Sequence, residues 1–250
     1  MIGEGPEDCR LSLPGAGELC LAWATLASVP EEEAWLTPAE AAILDRFRVT
    51  KRAADWRLGR WVAKEAVVRA LGADGERGGV PAPSEIEILA GPGGGPRARI
   101  LTLGEWPPVS VSLSHSAGTG FAAAAAGTLR IGCDVEEIAP RSDEFVSDYF
   151  TAEETAWIRV GGDEHTSAPE RHVRANLLWS AKESALKALG EGLRKDTRSV
   201  VVDVGGLDAA GLEGAGDAWR PLSVSSTGGE RFAGRWRVAD GLVWTVVGKG

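Results

Sequence analysis

The chain has 250 residues, 44% of them hydrophobic and 25% charged, and a formal net charge of −9 at pH 7. That acidic balance argues against general nucleic-acid binding, which draws on a basic field, and no window approaches the ~20 apolar residues of a membrane span. Cys9, Cys20 and Cys133 are odd in number and lack C-x-x-C spacing, so neither a disulfide framework nor a zinc site is expected. The acidic start, Met1 to Asp8, has neither the basic region nor the apolar run of a secretory signal, and a reducing cytoplasm is the expected setting.

Residues 1–18 are rich in Gly, Pro and acids and are expected to be flexible. Leu19 to Ala27 suits a first strand, broken by Pro30. Thr37-Pro38-Ala39-Glu40 is a helix start, with a threonine N-cap, proline at N1 and glutamate at N3, and a short helix should run to about Phe47. A longer helix is expected from Thr50 to Leu71, with Arg57, Arg60 and Lys64 at i, i+3 and i+7. Together with Arg46, Arg48, Lys51 and Arg52 these form the densest basic region of an acidic chain. That contrast favours anion binding over a merely solvated face.

Glu85–Leu89 reads as a short strand, and the loop Gly91–Gly95 leads into Arg97 and Arg99. Val109 to Leu113 alternates apolar and hydroxyl residues, which is strand periodicity, and runs into a polar turn at Ser114–Gly118. Phe121–Ala126 and Leu129–Val135, joined by Gly127-Thr128, read as a hairpin. Thr151-Ala152-Glu153-Glu154 repeats the capping pattern and should open another helix, followed by a loop from Gly161 to Pro169.

Leu178, Ala181, Ala185 and Leu189 recur at helical spacing, and Gly190 and Gly192 should stop that helix. On another face Trp179, Glu183 and Lys187 stand four apart. Arg198–Val204, Trp219–Ser225, Arg231–Val238 and Leu242–Val247 close the chain as strands around a Gly-rich connection, 205–216. The order suggests an α+β fold of two similar lobes, 19–127 and 128–250, with a seam near Gly127–Arg130. No internal sequence repeat marks the division.

In Ile131-Gly132-Cys133-Asp134-Val135-Glu136 the apolar residues point one way and Gly132, Asp134 and Glu136 the other. Same-face neighbours on a strand are about 6.5–7 Å apart, so two carboxylate tips can converge on a hard cation such as Mg²⁺ that keeps waters for a phosphate. Gly132 on that face would let a ligand approach the backbone. Read alone, D-x-E is more often a pair of solvated acids, and E-x-x-x-K a surface pair worth a few tenths of a kcal/mol.

Together, I-G-C-D-V-E and, some forty residues on, W-S-A-K-E-S-A-L-K-A-L-G resemble the paired signature of the 4′-phosphopantetheinyl transferases. Chain length and the S-L-S-H-S stretch at 112–116 resemble the surfactin-synthetase-activating (Sfp-like) subfamily of that family, whose members are single-chain pseudodimers. The resemblance covers roughly residues 35–250.

It implies a monomeric, Mg²⁺-dependent transferase, with Mn²⁺ a possible substitute. Such an enzyme moves phosphopantetheine from coenzyme A to a serine of an acyl or peptidyl carrier protein. By the same resemblance Asp134, Glu136 and Glu183 are metal ligands, Lys187 neutralises the transferring phosphate, and Ser114 and His115 contact coenzyme A. Glu154 stands where a base has been placed, and Lys182 belongs to the second motif among the coenzyme A contacts.

Two departures from some relatives matter: Glu40 and Ile43 stand where those carry lysines, and Gly94-Gly95-Pro96-Arg97 where they carry Gly-Lys-Pro. The 3′-phosphate then falls to Arg46, Arg48, Arg97 and Arg60. Family carrier proteins are acidic helical bundles, so a local apolar and basic docking patch is expected. The rival readings are a coenzyme A-binding regulator without transfer and a Mg²⁺-dependent phosphoesterase.

Overall fold

Two long helices, each lying on an antiparallel sheet, organise the chain. The computed structural model describes residues 9–72, 79–102, 106–159, 168–191, 195–205 and 217–250. The expected helix stop at Gly192, the loop over 161–167 and the Gly-rich stretch 206–216 lie outside the described residues, as do residues 1–8.

The first half comprises β1 (Arg10–Leu13), β2 (Gly17–Thr25), α1 (Pro38–Leu44), α2 (Thr50–Gly72), β3 (Ile86–Ala90), β4 (Pro96–Ile100), β5 (Val109–Ser116) and β6 (Thr119–Ala126). The second comprises β7 (Arg130–Glu137), α3 (Asp143–Tyr149), α4 (Ala152–Ile158), α5 (Ala168–Leu189), β8 (Val200–Asp203), β9 (Arg220–Ser226), β10 (Arg231–Ala239) and β11 (Leu242–Lys249). One sheet has the order β1-β2-β6-β5, the other β7-β11-β10-β9-β8, and β3 and β4 form a separate ribbon.

Strand alternation explains the layering. Cys20, Ala22, Ala24, Ala122 and Ala124 pack on Leu58, Val62 and Ala66 of α2, while Leu19, Leu21, Phe121, Ala123 and Ala125 face the other sheet. There they meet Ile131, Cys133, Val135, Trp244 and Val246, whose neighbours Val243 and Val247 turn to α5. The molecule is therefore layered α2, sheet, sheet, α5. Phe121–Ala126 is a continuous apolar run because both its faces are buried, apart from its terminal alanine.

That burial corrects two expectations. Residues 10–13 form a strand paired with β2, not part of a flexible tail. Phe121–Ala126 and the strand after it are not a hairpin: β6 pairs with β2 and β5, whereas β7 pairs with β11 in the other sheet. Gly127-Thr128 is a crossing between layers, and the true hairpin joins β5 to β6 across Ala117 and Gly118. The helix α3 was not anticipated, although Ser142 caps it and Asp143 and Glu144 fill its first turn.

Each half carries the same buried device. Thr37 and Glu40 form a capping box on α1, and Glu40 pairs with Lys64 of α2 at 2.6 Å, both side chains fully buried. Thr151 and Glu154 cap α4 in the same way, and Glu154 pairs with Lys182 of α5 at 2.8 Å. Glu40 and Glu154 each also accept a backbone N–H from the strand alongside, Ile88 and Val202 respectively. The mixed α+β fold is thus built from two halves that share a local solution, although their sequences show no repeat.

Candidate active site

Strand β7 and helix α5 form the floor and one wall of the site. A Cβ added to Gly132 would lie 1.8 Å from the Ser184 carbonyl oxygen and 2.9 Å from the Ala188 nitrogen. The space expected there for a ligand is filled by the backbone of α5. This close seating brings Trp179, Glu183 and Lys187 of α5 over the acids of β7. Gly190, at φ +74°, then ends the helix as expected, with Glu191 N–H closing back onto the Leu186 carbonyl.

Lys187 Nζ donates to Asp134 Oδ1 at 2.7 Å and to the Cys133 carbonyl at 3.0 Å. Ser114 Oγ, reaching from β5 in the other sheet, donates to the same Oδ1 at 2.7 Å. Asp134 Oδ2 and Glu183 Oε1 are buried without a hydrogen-bond partner. Trp179 Nε1 donates to Glu136 Oε1 at 3.1 Å, and Arg141 Nη2 to Oε2 at 3.3 Å. Arg141 is steadied by Asn176 Oδ1 and by the ring of Phe145.

The electrostatics follow from crowding. Burial, and then the neighbouring charge of Asp134, push the Glu183 carboxyl up to about 7, against the pull of Lys187. Burial and Asp134 also raise Glu136, with Arg141 opposing. Burial presses the Lys187 ammonium downward, yet the groups around it, Asp134 foremost and Glu183 among them, together leave it above the ordinary lysine value.

Among the described residues no three Asp, Glu, His or Cys side chains are arranged to hold a metal ion. Asp134, Glu136 and Glu183, the expected ligands, lie close enough for their charges to act on one another, and each oxygen of Glu136 accepts one hydrogen bond, from Trp179 and from Arg141. The remaining donor set still suits a hard cation. Two orphaned carboxylate oxygens in a buried setting match Mg²⁺, which is commonly held by one or two carboxylates and fills its other positions with water and phosphate.

Beside this acidic corner a cleft of about 610 Å³ is lined by Arg60, Pro96, Ser112, Leu113, Lys187 and Glu191. An adjoining hollow of about 630 Å³ shares Lys187 and adds Arg97. Arg60 rests on the ring of Trp56 at 4.7 Å, and its buried Nε has no hydrogen-bond partner. Burial lowers its pKa from the ordinary arginine value.

Arg46 and Arg48 line a third hollow of about 390 Å³ with Phe47 and Arg52, which shares no residue with the first two. The structure therefore brings Arg60 and Arg97 to Lys187 and leaves Arg46 and Arg48 apart. His115 is exposed, on the β5 face of Val111 and Leu113 and opposite to that of Ser114. That face leads to the cleft through Leu113.

Two expected site residues lie in the interior of the second half. Lys182 is fully buried, its ammonium donating to the carbonyls of Thr197 and Val200 besides pairing with Glu154. Glu154 is held by its capping box, by Lys182 and by Val202 N–H, which leaves no oxygen free for a substrate proton. The motif K-E therefore splits into a structural lysine and a site glutamate. Replacing Lys182 by methionine should cost ~3–5 kcal/mol, because a buried carboxylate is left without its counter-charge. Thermal melting measures this, and an unchanged melting temperature would show the pair to be dispensable.

The reading from sequence missed the serines that join the sheets. Ser110, Ser112 and Ser116 of β5 accept the backbone N–H groups of Leu129, Cys133 and Glu137 at 2.8, 3.0 and 3.1 Å. Hydroxyls thus replace the ladder that two edge strands in different sheets do not form. The alternation of Val and Ser over 109–113 was the available signal.

Residues 130–237 match the family model of the 4′-phosphopantetheinyl transferase superfamily. Among solved structures, the chain is similar to the acyl carrier protein synthase (AcpS) of Mycobacterium tuberculosis, with 24% identity over 45% of this chain and 95% of that one, at a TM-score of 0.34. It is also similar to the holo-[acyl-carrier-protein] synthase of Helicobacter pylori, solved in complex with coenzyme A. There the identity is 20% over 44% of this chain and 99% of that one, at a TM-score of 0.30. No curated protein matches the chain. No helix among the described residues is long and apolar enough to cross a membrane.

Proposed function

We infer that this chain, whose residues 130–237 match the model of the 4′-phosphopantetheinyl transferase superfamily, is a member that transfers the phosphopantetheine arm of coenzyme A to a serine of an acyl or peptidyl carrier protein. The observation that carries the reading is the grouping of Asp134 and Glu183 around Lys187, which itself lines a cleft together with Arg60.

In the reaction the carrier serine Oγ attacks the phosphorus that bears the pantetheine arm. The bond from that phosphorus to the bridging oxygen breaks, and adenosine 3′,5′-bisphosphate leaves with the bond's electron pair. Lys187 meets the charge that builds on the phosphoryl oxygens, a stabilisation strengthened where water is excluded. Arg60, with Arg97 in the adjoining hollow, supplies the cationic wall for the nucleotide phosphates. Asp134 and Glu183 would hold a Mg²⁺ ion, which when bound offsets charge on the leaving pyrophosphate oxygen. Glu183 would take the serine proton, a role for which Glu154 is poorly placed because it is held in its ion pair with Lys182.

The test is mass spectrometry of an apo carrier protein after incubation with coenzyme A, Mg²⁺ and this protein. A gain of one phosphopantetheine on the carrier is the expected result. Release of free phosphopantetheine in the absence of carrier would instead mark a phosphoesterase, and coenzyme A binding with neither product would mark a regulator.

A further inference from the structure

We propose that Ser114 is a positioning residue that sets which oxygen of Asp134 is offered to the divalent cation, rather than a residue whose main business is with coenzyme A. The proposal rests on the transferase reading above and concerns the working of that same site.

The serines of β5 provide the comparison. Ser110, Ser112 and Ser116 accept N–H groups from residues 129, 133 and 137, so all three are occupied in holding the sheets together. Ser114 lies on the same face and in the same series, yet its hydroxyl donates to a side chain, Asp134 Oδ1, at 2.7 Å. With Lys187 on the same oxygen, Oδ1 carries two donors, one of them charged, and Oδ2 carries none while remaining buried.

A carboxylate with a torsional choice of two oxygens is thereby held in one orientation. Its Oδ2 is buried and without a hydrogen-bond partner, as is Oε1 of Glu183, whose carboxyl feels the charge of Asp134. Lys187 is also the residue that must turn to the transferring phosphate. Once it does so, the Ser114 hydroxyl is the donor still holding Oδ1. Because Ser114 belongs to one sheet and Asp134 to the other, the orientation of this ligand depends on the seam between the halves. Hydrogen-bond donors behind a metal ligand are commonly worth 10–100-fold in metal affinity.

The test compares Ser114→Ala, Ser114→Thr and Ser116→Ala in the full chain. Mn²⁺ binding is followed by electron paramagnetic resonance with coenzyme A present and no carrier, alongside steady-state transfer kinetics. Ser114→Ala should weaken Mn²⁺ binding by about 10-fold or more with the KM for coenzyme A changed less than about 2-fold. Ser114→Thr should restore most of the affinity. Ser116→Ala, which removes one seam bond and no ligand contact, should lower the melting temperature and leave Mn²⁺ affinity within about 2-fold.

Unchanged Mn²⁺ affinity in Ser114→Ala overturns the proposal. So does a raised KM for coenzyme A at wild-type Mn²⁺ affinity, which would make Ser114 a coenzyme A contact only. Either result leaves the transferase reading standing if wild-type protein modifies its carrier. Absence of transfer by the wild type overturns that reading instead.

Discussion

Glu183→Gln is expected to reduce carrier modification by on the order of 10²–10³-fold while raising the melting temperature. The two effects come from one feature. Glu183 is a half-buried carboxylate with one buried, unpartnered oxygen, set near Asp134 and Glu136, so in the metal-free protein its desolvation and repulsion outweigh the pull of Lys187. A glutamine of the same shape removes that charge. It thereby stabilises the fold by ~1 kcal/mol, which for a chain of this length is about 2–4 °C in melting temperature. The same change removes the acceptor for the serine proton and one of the two free oxygens offered to the cation. Transfer kinetics at saturating Mg²⁺ and calorimetry without metal read the two consequences separately. Near-normal turnover would remove Glu183 from the chemistry, and a melting temperature that fell with activity would make its part structural.

Gly132→Ala, two residues from Asp134 on the same face of β7, is expected to act in the opposite way, through the fold. A methyl group at Gly132 would overlap the Ser184 carbonyl oxygen at 1.8 Å, and neither the helix backbone nor the strand can rotate away from it. Relief requires α5 to lift from β7. That would disturb the buried hydroxyl cluster of Ser180, Ser184 and Thr245 and open the core under Ala181 and Ala185. Overpacking of this severity should cost about 3 kcal/mol or more, roughly 6–12 °C in melting temperature. Lys187 would also be drawn from Asp134, so activity should fall along with stability. A melting temperature equal to that of the wild type would show that the helix is not seated as closely as the structure has it.

These two neighbours mark the reach of the sequence. Residue types at i, i+2 on a strand and i, i+4, i+8 on a helix were enough to collect Asp134, Glu183 and Lys187, because alternation and helical pitch are local properties of the backbone. The same rules placed α1, α2 and α4, whose caps at Thr37 and Thr151 are written within four residues. They failed where a side chain's partner lies far along the chain. Glu154 and Lys182, which the resemblance offered as site residues, form a buried pair 28 positions apart that no local pattern announces, matched by Glu40 and Lys64 in the other half.

What the order of residues determined alone is the α+β class and the elements on which the candidate acids and lysine stand. Which carboxylate oxygens stay free, which arginines share the cleft with Lys187, and how the sheets are joined were decided only on folding. Each depends on contacts between β5, β7, α2 and α5. Hydrogen bonding and burial act at 3 Å, and the chain brings residues so distant in order to that range only through the packing of its layers.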